Sequence, residues 1–167
     1  MHLAVWCSPR RWLLHHSRRH ALILEKLIEP HHSVLDAGCG YGRLLEIMPS
    51  SWKGYYLGVD LCPEFIDLAR RRHPGREFMV ADLRDLSAVR RRFDWAVLVS
   101  IKYTLIGNAG EVVWQQAEDE IKRVADRLLF LEWAVKEEPD YGFPRVCHHE
   151  YERGVTTNEQ RDAEDHR

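Results

Sequence analysis

Apolar positions recur at helical spacing from Leu13 and Leu14 through Ala21 to Leu24, Leu27 and Ile28, and Pro30 stands where a helix has to stop. The pattern predicts a first helix over 11–29. Residues 33–37 form a short apolar run that ends at the glycines of GCGYG, and the helix-compatible RLLEIM follows up to Pro49. Strand, glycine turn and helix are therefore expected in that order. The run YYLGVD at 55–60 is strand-like, and PEFIDLARRR at 63–72 puts proline in the first helical turn, with Phe65, Ile66 and Ala69 on one face. A third strand is expected over 78–81, ending at Asp82. The almost wholly apolar FDWAVLVSI at 93–101 has the pattern of a parallel strand covered on both faces. One long helix over 110–127 and a fifth strand over 128–133 complete the series, and RVCHHEYERGVT has room for one more strand.

Strands that alternate with helices argue for an open, doubly wound α/β sheet, mostly parallel, whose ligands sit at the carboxyl ends of the strands. Composition agrees with one globular domain: of 167 residues, 45% are apolar and 30% charged. The domain is expected over 1–155, with a polar tail over 156–167. Cys7, Cys39, Cys62 and Cys147 form no Cys-x-x-Cys pair, which suits reduced thiols and a cytoplasmic location. No apolar run approaches the roughly 18 residues of a membrane span. Net charge is −2, too near neutral to announce a nucleic-acid binder, although Arg10, Arg11, Arg18 and Arg19 make the first helix basic.

The chemistry concentrates in the glycine turn. Gly38, Gly40 and Gly42 miss the G-x-G-x-x-G spacing of dinucleotide sites, since Arg43 holds the last position, and the Gly-Lys-Ser/Thr ending of a phosphate loop is absent. Asp36, two residues before the first glycine, would repel a pyrophosphate and attract an ammonium group. Asp60 and Asp82 end the next two strands, which sets three carboxylates along one sheet edge. An acid at the second strand end suits ribose hydroxyls, and one at the third suits an exocyclic amine such as that of adenine. Taken singly, each acid is equally well a turn or cap residue.

Together, VLDAGCGYGRLL, YYLGVDLCPEFIDLARRR, REFMVADLRDL and FDWAVLVSI resemble the successive motifs of class I S-adenosylmethionine-dependent methyltransferases, in order and at matching spacings. The resemblance spans about 20–134 and includes the full D-x-G-x-G-x-G pattern from Asp36 to Gly42. It implies a Rossmann-like methyltransferase sheet and S-adenosylmethionine as methyl donor, with no metal. By the same resemblance Asp36 serves the methionine ammonium, and Ala37, Gly38, Cys39, Gly40 and Gly42 the methionine moiety. Asp60 takes the ribose, Leu61 and Cys62 lie beside the adenosine, and Asp82 with Leu83 holds the adenine. Ser100, Lys102 and Tyr103, directly after the fourth strand, are the polar groups nearest the transferred methyl and the candidate catalytic residues, Ser100 also touching the cofactor.

Two departures qualify the resemblance. The fourth strand ends in Ser-Ile-Lys-Tyr and lacks the N/D-P-P-Y signature of base and glutamine amino-methylating enzymes. The carboxyl end is too short for the family's usual last two strands. A small-molecule acceptor is favoured, with a protein or RNA methyltransferase, or a non-catalytic S-adenosylmethionine-binding subunit, as alternatives. A fifth strand left with an open edge would favour a homodimer or partner complex. Neighbours within Cys147, His148, His149 and Glu150 point to opposite faces of a strand, and no second pair of ligands stands at a recognised spacing, so no metal site is expected there. The triplets Arg70–Arg72 and Arg90–Arg92 are expected to be solvated.

Overall fold

A computed structural model describes residues 10–134 and 145–152, with side chains over 18–131. The tail expected over 156–167, and the side chains of Trp12, His15, His16 and Cys147–Glu150, lie outside the described residues. One six-stranded sheet organises the chain, in the order β3-β2-β1-β4-β5-β6. Its strands are β1 (Val34–Ala37), β2 (Tyr56–Asp60), β3 (Glu77–Val80), β4 (Phe93–Val99), β5 (Ala125–Ala134) and β6 (Arg145–Glu152). The first five are parallel, and β6 runs antiparallel to β5 from Arg127↔Glu152 to Ala134↔Arg145. The expected doubly wound α/β sheet is observed. The fifth strand is not an edge, because β6 pairs with it along most of its length.

Alternate residues of the inner strands enter two cores, as a parallel sheet covered on both faces requires. Leu35, Leu57, Ala96 and Leu98 pack on one face under α4 (Glu111–Val124), which contributes Trp114, Ala117 and Ile121. Val34, Tyr56, Trp95 and Val97 pack on the other, with Leu24 and Ile28 from α1 (Arg10–Leu27) and its end, and Ile66 and Ala69 from α2 (Pro63–Arg72). Pro63 at the first turn, Glu64 beside it and three arginines in the last turn all suit the α2 dipole.

Two expectations fail for local reasons, and one connection that the sequence left open is a pair of turns. The segment after the glycine turn is only a 3-10 turn, Arg43–Glu46, because six residues between Gly42 and Pro49 are too few to repay α-helix nucleation and proline restricts the residue before it. No helix joins β3 to β4: Asp82 and Asp85 accept backbone N–H bonds from Arg84 and Ser87, at 2.9 and 3.0 Å, and this turn chemistry competes with helix. The expected long helix over 110–127 is instead α3 (Lys102–Ala109) and α4, separated by Gly110 at φ 89°, and residues 125–127 belong to β5.

β1 lies between β2 and β4, so the connection that follows β1 and the one that follows β3 lead to opposite sides of it. This is the topological switch point at which open α/β sheets form their crevice. It brings the end of β1 beside Ser100 at the end of β4.

Candidate active site

The turn after β1 is held by its own hydrogen bonds. The N–H groups of Gly38 and Cys39 both donate to the Val59 carbonyl at 2.8 and 2.9 Å, and Gly42 N–H donates to Cys39 O at 2.9 Å. Gly40 N–H donates to Asp60 Oδ2 at 2.8 Å. All three glycines have positive φ, 78°, 52° and 85°. Glycine is required at 38 for a second reason: a Cβ there would lie 2.5 Å from Ile101 Cδ1. The turn thus commits the N–H groups of Gly38, Cys39, Gly40 and Gly42 inward, and only a single 3-10 turn follows it, so the long helix dipole of a phosphate site is missing.

Asp36 lies beneath the turn rather than at its mouth. It is 2% exposed and accepts a 2.7 Å hydrogen bond from the Tyr56 hydroxyl. Burial raises its pKa to about 7, against the lowering effect of Tyr56, and Asp60 adds to the rise. Burial, with the charges of Asp36 and Asp60 behind it, also pushes the Cys39 thiol up, so Cys39 is a neutral packing residue under Gly58. Ala37 is fully buried and offers only its backbone.

Asp60 joins the turn to α2: Oδ2 takes Gly40 N–H, and Oδ1 takes Cys62 N–H at 2.9 Å. Asp82 faces Arg84, whose Nη2 and Nε donate to it at 2.6 and 3.0 Å, and this pairing holds its carboxyl below the usual range. Between these two acids opens a cavity of about 320 Å³. Gly38, Asp60, Leu61, Asp82, Leu83 and Arg84 line it from the strand ends, so five of the residues expected to hold cofactor share one wall. Asp36, Ala37, Cys39, Gly40, Gly42 and Ser100 lie outside that lining.

The opposite wall was missed by sequence reasoning. It is α3 with the start of α4: Ile101, Thr104, Leu105, Asn108 and Val113. The i, i+4 spacing of Ile101, Leu105 and Ala109 is the overlooked signal. Thr104 Oγ1 donates to Ser100 O and Asn108 Nδ2 to Thr104 O, which leaves the Asn108 carbonyl oxygen as an acceptor at the rim.

The three candidate catalytic residues are dispersed. Ser100 has φ 58°, and its Oγ is buried without a hydrogen-bond partner in the structure. Lys102 Nζ stands 5.5 and 5.6 Å from the rings of Trp114 and Phe130, directed into an aromatic pair and not into the cavity lining. Tyr103 is 54% exposed on α3. At the opposite end of the sheet Glu29, His31 and His32 bring ligand atoms within 4.8 Å of one another. The His32 ring is already engaged, with Nδ1 accepting from Glu29 N–H and Trp95 Nε1 and Nε2 3.2 Å from Arg127. That arrangement suits core polar packing and not metal ligation. Among the described residues no helix is long and apolar enough to cross a membrane.

Residues 34–126 match the family model described as a methyltransferase domain. The chain belongs to the class I S-adenosylmethionine-dependent methyltransferase family. A protein of Mycobacterium tuberculosis provisionally named a methyltransferase is 36% identical over 70 residues, a stretch that is 41% of this chain and 41% of that relative. The chain therefore matches about two fifths of the length of its curated relative. Among solved structures, the TehB-like S-adenosylmethionine-dependent methyltransferase of Corynebacterium glutamicum superposes with a TM-score of 0.54 at 25% identity, over 74% of this chain and 73% of its own. Magnesium protoporphyrin IX methyltransferase of Synechocystis, solved with bound S-adenosylmethionine, gives 0.59 at 22% identity over 76% and 61%, a likeness of fold.

Proposed function

We propose that this methyltransferase-family chain binds S-adenosylmethionine in the cavity between the strand ends and α3 and transfers its methyl group to a small-molecule acceptor. One observation carries the reading. Asp60, Asp82 and the apolar pair Leu61 and Leu83 line a single cavity beside a glycine turn whose Gly38, Cys39, Gly40 and Gly42 N–H groups are bonded within the chain. A pyrophosphate needs those donors. A zwitterionic aminoacyl nucleoside needs acceptors for its ammonium and ribose, and an apolar slot for its base.

The residues fit that ligand. Asp60 has a lone pair left on each oxygen for ribose hydroxyls, Leu61, Leu83, Ile101 and Leu105 enclose an aromatic base, and Asp82 accepts from its amine. Ser100, whose buried Oγ has no hydrogen-bond partner, and Asp36 beneath the turn are the polar groups for the methionine end. When bound, the sulfonium supplies both the methyl group and the leaving group of one in-line displacement. The chain's own contribution is alignment and exclusion of water, which can lower the barrier by roughly 7 to 11 kcal/mol. A general base is required only where the acceptor must lose a proton. Lys102, held against aromatic rings, does not supply one.

Calorimetric titration with S-adenosylhomocysteine and with NAD tests the cofactor, and homocysteine-nucleoside release over a panel of small acceptors tests the chemistry. Tighter binding of NAD than of S-adenosylhomocysteine refutes the proposal. Cofactor binding without turnover on any small acceptor transfers support to the protein, RNA or subunit alternatives.

A further inference from the structure

The two arginine triplets are 20 residues apart in sequence, yet the fold brings members of both to one place. An open groove of about 720 Å³ runs along the outer edge of β3, away from the proposed cofactor cavity. Arg70 comes to it from the last turn of α2, Arg76 from the turn before β3, and Arg90 and Arg91 from the loop before β4. Several of these guanidiniums are held in place by internal contacts. Arg70 donates to Phe78 O at 2.9 Å and Arg76 to Gly54 O at 3.1 Å, while Arg91 stacks on the Tyr55 ring at 4.1 Å. Each guanidinium has five donors, so most of them remain for a ligand.

The charge is not compensated locally. Among the described residues, no carboxylate oxygen lies within 4.0 Å of Arg76, Arg90 or Arg91, and Arg70 shares only the exposed Asp67 at 3.4 Å. Glu77 is the one acid of the lining, and its Oε2 already accepts from the Tyr55 hydroxyl at 2.7 Å. The floor is apolar, formed by Leu57, Met79 and Val89. A groove that offers many donors, almost no acceptors and an apolar base suits a chain of acceptors. A run of phosphates brings acceptors only, and the planar guanidinium matches each of them bidentately.

We propose that this groove binds a ligand carrying several successive phosphate groups, as in a phosphodiester chain or an inorganic polyphosphate, independently of the cofactor cavity. The test is fluorescence anisotropy of the full chain with a labelled single-stranded oligouridylate 12-mer, with inorganic tripolyphosphate and a polyglutamate of equal charge as competitors. Three uncompensated arginines predict a slope of about −2 for log affinity against log salt on a single strand, or about a 20-fold loss between 50 and 200 mM. Displacement of the 12-mer by tripolyphosphate identifies phosphate charge as sufficient, and binding that tripolyphosphate does not displace identifies the phosphodiester chain as the ligand; both support the proposal. Arg90→Glu/Arg91→Glu should weaken binding at least tenfold, and the exposed Arg90→Glu alone should weaken it measurably with an unchanged melting curve. Arg71→Glu, which makes the same change of charge just outside the groove, should leave binding within twofold of the parent. The proposal is overturned if neither phosphate probe binds at 50 mM salt, if polyglutamate competes as well as tripolyphosphate, or if Arg71→Glu costs as much as Arg90→Glu.

Discussion

Asp36→Asn isolates the buried carboxyl under the glycine turn. The substitution keeps the shape and an oxygen to accept the Tyr56 hydroxyl, and it removes the possibility of a charge. Asp36 is 2% exposed and its pKa is raised to about 7, chiefly by burial. In the unfolded chain the same carboxyl titrates near the ordinary value of roughly 3.9. Between these two values the native state holds a proton that the unfolded state has released, so stability falls as pH rises. The contribution of the buried neutral acid is complete below about pH 4 and lost by about pH 7, and the gap corresponds to about 4 kcal/mol. Against a typical total of roughly 5 to 15 kcal/mol that is a large share. Urea denaturation of parent and variant from pH 4 to 8.5 reads it directly, because all other titrating groups cancel in the difference. The variant's advantage over the parent should grow by several kcal/mol between pH 4 and 7 and then level off. A difference constant to within about 0.5 kcal/mol over that range would refute the account of Asp36 as a desolvated acid.

Asp60→Ala removes the acceptor of both Gly40 and Cys62 N–H, and loss of a charge-assisted bond of about 1.5 to 3 kcal/mol should weaken S-adenosylhomocysteine binding by roughly 10- to 150-fold in calorimetry, with a folded circular dichroism spectrum. Gly38→Ala should cost about 2 to 5 kcal/mol in thermal unfolding, part from its φ of 78° and part from overlap with Ile101; adding Ile101→Ala should recover the overlap part, and strict additivity would show that the two residues do not touch. Lys102→Ala should lower stability by about 0.5 to 2 kcal/mol through its aromatic contacts and leave cofactor affinity unchanged, whereas Tyr103→Phe should move the acceptor KM if α3 borders the acceptor site. The strand β6 is one of the two edge strands of the described sheet, and a homodimer across it should appear as a concentration-dependent mass in light scattering; a monomer at every concentration counts against it.

Strands were legible because their evidence is local. Val34–Ala37 and Phe93–Val99 are apolar apart from Asp36 and Asp94, as suits a sheet covered on both faces, and the acids at 36, 60 and 82 mark where three strands stop. Connections were less legible because opposing local preferences decide them. RLLEIM has helical composition, but Pro49 and a left-handed Gly42 leave it too little length. LRDLSAVRRR has helical stretches too, yet Asp82 and Asp85 divert its N–H groups into turns, and Glu120 Oε2 on α4 receives Leu86 N–H at 2.9 Å. The wall formed by α3 carried only a faint signal: its apolar stripe is the short series Ile101, Leu105 and Ala109 in a weakly amphipathic segment, and none of the helix's residues is buried. Spacing placed Lys102 near the chemistry, but only tertiary structure turns it toward Trp114 and Phe130.

Each polar group that the proposed ligand requires already has a partner within the chain, apart from Ser100 Oγ. Tyr56 satisfies Asp36, two backbone amides satisfy Asp60, and Arg84 satisfies Asp82. Ile101 packs where Gly38 has no side chain. Binding is therefore an exchange of bonds and not a gain of bonds, which limits what each polar contact adds to affinity. The cost differs between the acids. Asp60 can keep both amide bonds and accept ribose hydroxyls on its remaining lone pairs, whereas Asp82 must share with a bidentate guanidinium in an exposed ion pair that solvent screens. Asp36 gains most from a cation, because an ammonium would repay the desolvation that keeps it neutral. Affinity should then reside in the enclosed base, the buried acid and Asp60, with Asp82 acting mainly to reject nucleosides whose amine is missing.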